Sequence, residues 1–180
     1  MLKKNKKQNK AFTLIEALIA IAILMISIAA PLSLANKGIQ AASLSKQQIT
    51  AYYLAQDAYE WIKNKTEYNK VVGTSAEKLV DNLNNCVNDN NINNKCIIDT
   101  TNPPTQSPDA YTDQKLTING QGVYGYNGNK TIFKRYVEIS KYHNANTGYL
   151  DEIIVKVTVE WKVPYSPLQK YVLTSHITNW

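Results

Sequence analysis

Histidine is scarce in this chain, with two residues in 180, His143 and His176, and they stand on different stretches. Two histidines far apart signal neither a His-rich metal site nor a Ser-His-Asp triad. The Gly-x-Ser-x-Gly, His-Glu-x-x-His and phosphate-loop patterns are also missing. Glycine is sparse at 7 residues, and Gly120-Gln121-Gly122 with Gly125 lacks the helix that a nucleotide fingerprint needs, so a hairpin is expected there. No enzymatic activity and no cofactor are expected. Cysteine is limited to Cys86 and Cys96. Two Cys without a neighbouring His make a poor zinc set, which leaves a disulfide outside the cytoplasm or two free thiols. A loop this short gains about 3 kcal/mol or less from closure on the chain-entropy model.

Acid is missing from the first eleven residues, where Lys3, Lys4, Lys6, Lys7 and Lys10 stand. The formal charge of +6 is therefore misleading, because removing those five lysines leaves +1 on the remaining side chains. A near-neutral body gives no reason to expect nucleic acid as a partner. The 12 tyrosines fit ordinary strand positions better than a base-stacking surface.

What the chain has is one long apolar run, Phe12 to Leu34, interrupted by a single charge, Glu16. As a helix it would extend about 35 Å, enough to cross a bilayer core. The lysines before it predict that the N-terminus stays in the cytoplasm and that the rest lies outside. A carboxylate inside such a run is costly if unpaired, so Glu16 is a candidate functional residue. Pro31 predicts a kink or local opening of the helix, and Gly38 a possible break. Beyond the run, Leu44, Gln48, Ala51, Ala55, Ala58 and Ile62 recur at steps of four and three, which predicts an amphipathic continuation to about Asn64.

Lys10-Ala11-Phe12-Thr13-Leu14-Ile15-Glu16 resembles the processing site of type IV prepilins and the related pseudopilins. The resemblance implies that a prepilin peptidase cuts between Ala11 and Phe12 and methylates the new amine of Phe12. Glu16 is then the fifth residue after the cut. The departure is Ala11, where the family most often has Gly. Ala51 to Ile62, with its Leu-Ala-Gln-Asp and later Glu and Ile, resembles PilV-like minor pilins and the I-type minor pseudopilins of type II secretion. Arg135, the strand after it and the closing Asn179-Trp180 resemble the C-terminal half of PilV-like proteins. The resemblance implies a minor subunit whose Glu16 carboxylate neutralises the Phe12 amine of a neighbour. Other pilins or pseudopilins, the prepilin peptidase and the inner-membrane assembly platform are the implied partners. It also implies a single-pass protein of the cytoplasmic membrane that later reaches a pilus or the cell surface. The alternatives are a minor pseudopilin of type II secretion or DNA uptake, and a secreted or membrane-anchored binding domain. Ser33-Leu34-Ala35 has the small-x-small form of a signal peptidase site.

The expected organisation is a basic leader at 1–11, a transmembrane or filament-core helix at 12–35 and its amphipathic continuation at 36–65. An Asn-rich variable region follows at 66–114, then an antiparallel β-sheet at 115–180. Asparagine crowds Asp81 to Lys95, which predicts turns, after a short helix near Ser75 to Leu83. A Ca²⁺ site there lacks EF-hand spacing, and a solvated loop is expected. Alternation over Ile153, Val155, Val157, Val159, Trp161 and Val163 marks a half-buried strand, flanked by strands over Thr131–Ser140 and around Tyr171–Ile177. Three sequential strands with short links form a meander whose dry face covers the helix, an α+β pilin-like fold.

Overall fold

A computed structural model describes residues 13–73, 77–88, 94–145, 148–163 and 166–179. The chain divides into two units, Met1–Lys46 and Gln47–Trp180. Helix α1, Leu14–Val72, contributes to both.

In the first unit the described residues are helical from Leu14 onward, and every side chain described between Thr13 and Lys46 is exposed. Leu14 is 80% accessible and Ile26 72%. Leucine, isoleucine and alanine are good or tolerable helix formers, so the segment needs no partner to adopt this backbone, although its surface needs a non-aqueous one. Pro31 lies inside α1 and does not end it. It removes only the amide that would bond the Ser27 carbonyl, and the Ser27 hydroxyl donates to the Leu24 carbonyl at 2.7 Å in the same turn. Gly38 is likewise passed without a break.

The second unit is an α+β domain. Residues Gln47–Val72 of α1 lie on a six-stranded sheet. Its backbone is a meander of β7 (Phe133–His143), β8 (Leu150–Trp161) and β9 (Gln169–Thr178), antiparallel throughout. Period-two alternation sends Phe133, Val137 and Ile139 of β7 inward with Ile153, Val155, Val157, Val159 and Trp161 of β8, all buried. They meet Ala51, Leu54, Ala55, Ala58, Trp61 and Ile62, which share the core. Alanine at three of these positions, each with no accessible surface, lets the sheet approach the helix backbone closely.

The far edge of β7 carries two short strands, β1 (Val87–Asn88), parallel to it, and β2 (Cys96–Ile97), antiparallel, with β3 (Asp109–Ala110) outside β2. A separate three-stranded sheet places β4 (Thr117–Ile118) between β5 (Tyr124–Gly125) and β6 (Asn129–Lys130). The turn between β4 and β5 is the hairpin expected at Gly120–Gly125. Asn119 closes it, its side-chain oxygen accepting from the Gln121 and Val123 amides at 2.9 and 3.0 Å. Gly128 has φ +148, and a Cβ there would lie 2.5 Å from the Ile118 carbonyl oxygen, so only glycine fits.

Two boundaries differ from the sequence reading. The helix continues to Val72 instead of ending near Lys65, because Lys65, Thr66 and Asn69 are buried rather than solvated. The Asn69 amide donates to the Asp81 carbonyl at 2.8 Å, which ties the last turn to the segment that follows. The helix expected over Ser75–Leu83 is, among the described residues, a single 3₁₀ turn at Lys78–Val80. Ser75 lies outside them, as does part of the Asn-rich stretch.

Candidate processing, assembly and clamp residues

Ala11 and Phe12, where cleavage and methylation are expected, lie outside the described residues. Immediately after them Thr13 caps α1. Its hydroxyl accepts from the Glu16 amide at 3.4 Å and its carbonyl from the Ala17 amide at 3.2 Å. Thr13-Leu14-Ile15-Glu16 is thus the Thr-x-x-Glu pattern that satisfies orphan donors at a helix start. The sequence reading valued Glu16 and passed over Thr13, although that spacing was legible. The cap places Glu16 in the first turn of the helix, where the partial positive charge of the N-terminus favours a carboxylate. Glu16 is exposed, so its carboxylate is presented outward.

In the second unit the most connected side chain is Arg135 of β7, which has no accessible surface. Inward alternation aims it at the helix. One terminal nitrogen donates to the Leu54 carbonyl at 2.8 Å and to the Asp57 carboxylate at 3.0 Å; the other donates to the Ile98 carbonyl at 2.7 Å. One guanidinium therefore ties the helix, β7 and the segment after β2, a use that its rigid fork permits and a lysine would not. Thr100 donates to the same Asp57 oxygen at 2.6 Å. Trp61 adds a parallel link, its indole nitrogen donating to the Asn102 carbonyl at 2.8 Å.

Cys86 and Cys96 form a disulfide with Cα atoms 4.7 Å apart, and both residues are fully buried. Because β1 and β2 both pair with β7, the bond closes a loop whose two ends are already held by the same strand. Of the two readings, a disulfide or free thiols, the structure has the disulfide.

The two histidines are not brought together. His143 Nε2 lies 2.9 Å from Glu77, which also accepts from Lys141 at 3.0 Å. The hydrogen bond from His143 and the charge of Lys141 hold the Glu77 carboxyl below the usual range. His176 contacts Glu152 on the opposite face of the sheet. Lys65 is buried, its ammonium donating to the Thr105 carbonyl at 3.4 Å and lying 5.8 Å from the centre of the Tyr68 ring, and desolvation lowers its pKa. Among the described residues, no group of three His, Cys, Asp or Glu side chains is placed to hold a metal ion.

Residues 6–30 match the family described as the prokaryotic N-terminal methylation motif. The chain carries a prepilin-type methylation motif. That motif supports a type IV pilin-like protein, and with it general partners in other pilin subunits and prepilin peptidase. α1 is long and apolar enough near the N-terminus to cross a membrane by length and composition. Motif and helix together suggest a membrane-anchored, pilus-associated protein. No curated protein and no solved structure matches this chain.

Proposed function

We propose that this pilin-like chain is a minor structural subunit of a type IV pilus or a related pseudopilus, most like the PilV group, which works by packing and without turnover. The supporting observation is the methylation motif set directly on an exposed apolar helix whose continuation is the spine of a folded head. Prepilin peptidase would cut between Ala11 and Phe12 and methylate Phe12. The chain would be anchored once in the cytoplasmic membrane with its C-terminal domain outside, and the inner-membrane platform would then pass it into the filament.

The cut would leave a positive amine at Phe12, four residues before the Glu16 carboxylate, which is exposed among the described residues. In a low-dielectric filament core, the exposed Glu16 carboxylate would pair with the Phe12 amine of the next subunit, since opposite charges there attract far more strongly than in water. Recruitment and register would then be set by one pair per subunit.

The test is the intact mass and N-terminal sequence of the protein recovered from membrane and surface fractions of its host. A chain starting at methylated Phe12 supports the reading. A start at Asn36 makes the protein a secreted domain cut after Ala35, and a start at Met1 makes it a simple anchor. With processing established, Glu16→Ala is expected to leave the cut intact and reduce incorporation at least ten-fold; normal incorporation would remove the pairing mechanism.

A further inference from the structure

The two edges of the main sheet are unlike. One ends in β3, two residues long and preceded by Pro108, a short strand of the kind that discourages further pairing. The other ends in β9, which is 10 residues long and pairs with β8 in unbroken register from Trp161↔Gln169 to Glu152↔Thr178. Among the described residues no strand lies beyond β9, and no backbone hydrogen bond leaves its far side. It has no proline and no bulge, and a single lysine, Lys170, is the one usual guard of an exposed edge that it carries.

The side chains beside this edge also look for company. On the outer face, cross-strand neighbours alternate in sign: Lys134 faces Glu160, which faces Lys170, and Glu138 faces Lys156. The first row ends on Lys170, which is exposed and enters no ion pair among the described residues. The start of β9 also borders a mostly apolar groove of about 500 Å³ lined by Ile49, Tyr52 and Tyr53 of α1 with Trp161 and Tyr171, and by the polar Gln48, Gln169 and Lys170. Ile49 and Tyr53 are 57% and 63% accessible.

We propose that β9 is a docking edge that accepts an extended segment of a different protein chain. That segment carries an acidic residue opposite Lys170 on the outer face and apolar residues at alternating positions on the inner face. Main-chain hydrogen bonds supply the adhesion, as in other strand additions, and the alternating side chains supply the choice of partner. The acidic residue continues the Lys–Glu–Lys row, and an apolar residue beside Tyr171 has the groove to enter. A second copy laid β9 on β9 is a poorer occupant: the strand has no Asp or Glu, so in every register Lys170 would be left without a carboxylate.

The inference does not depend on cleavage at Ala11, which the N-terminal mass of the same preparation reports separately. The experiment places a photo-cross-linking benzoylphenylalanine at Val172 of the full-length chain in its host and sequences the cross-linked peptide. Hydrogen exchange of the β9 amides is measured before and after extraction in detergent. The expected result is a cross-link to an extended, acid-bearing segment of another chain, with β9 amides at least ten-fold better protected before extraction. Lys170→Glu should lower the cross-link yield about ten-fold without changing the melting temperature. Unchanged protection would overturn the proposal, as would a cross-link to β9 of a second copy or an unaffected yield in Lys170→Glu.

Discussion

Along α1, Ala17, Ala20 and Ala22 are exposed, whereas Ala51, Ala55 and Ala58 have no accessible surface. Residue type and backbone are the same, and only the surroundings differ. The early alanines sit among Leu14, Ile15, Leu18 and Ile19, an all-round apolar surface that no described residue of its own unit covers. The later ones form one stripe, with Gln56, Glu60 and Lys63 turned away from the sheet. An all-round apolar helix is suited to lipid or to other such helices; a striped one is suited to a single fixed partner. The comparison teaches that the head is fixed by its own chain, while the anchor is left unfinished for something else to complete.

The sharpest way to break the contrast is to remove the clamp that belongs to the head alone. Arg135→Ala is expected to cost about 2–4 kcal/mol, because the buried Leu54 and Ile98 carbonyls lose their donor and a cavity opens while the half-exposed Asp57 carboxylate turns to water, with Arg135→Lys recovering only part. Urea unfolding followed by tryptophan fluorescence measures it, and a loss below about 1 kcal/mol would move the main joint elsewhere. A smaller effect is expected from overfilling the stripe. Ala58→Leu should destabilise the head by about 1–3 kcal/mol, whereas Ala22→Leu should leave its melting unchanged; equal effects would erase the distinction between the two halves.

The smallest effect is on pH dependence. Glu77 has a folded pKa lowered by the His143 hydrogen bond and by Lys141, so its contribution is complete above the unfolded value of 4.5 and is lost as pH falls through the lowered folded value. The carboxylate is 39% exposed, which limits the contribution to under about 1 kcal/mol after solvent screening. Glu77→Gln should therefore lower stability slightly at pH 7 and converge with the parent in strong acid. Divergence that grows on acidification would contradict the assigned sign.

The meander was legible because every second residue of Ile153 to Trp161 is apolar, and the structure buries that set. The helix stripe was legible for the same periodic reason. The end of α1 was not, since Lys65, Thr66 and Asn69 look like surface. Carbonyls distant in sequence meet two of them, Thr105 for Lys65 and Asp81 for Asn69, while Thr66 bonds back to the Lys63 carbonyl. Strands β1 to β6 are two residues long each and leave no periodic trace. Of the site, Glu16 and the cysteines stood out by contrast with their neighbours. Arg135 entered only through likeness to a family, because nothing local announces that a strand arginine reaches a helix carbonyl 81 positions earlier.

That reach has a mechanical consequence. A pull along the helix through Gln47–Val72 meets the Arg135 bonds to Leu54 and Asp57, the Trp61 bond to Asn102 and the alanine seam side by side. Links loaded in parallel share the force and yield together, whereas links in series open one at a time. The head is therefore built to shear off its spine at a single high threshold, and below that threshold to transmit tension to the sheet without lengthening.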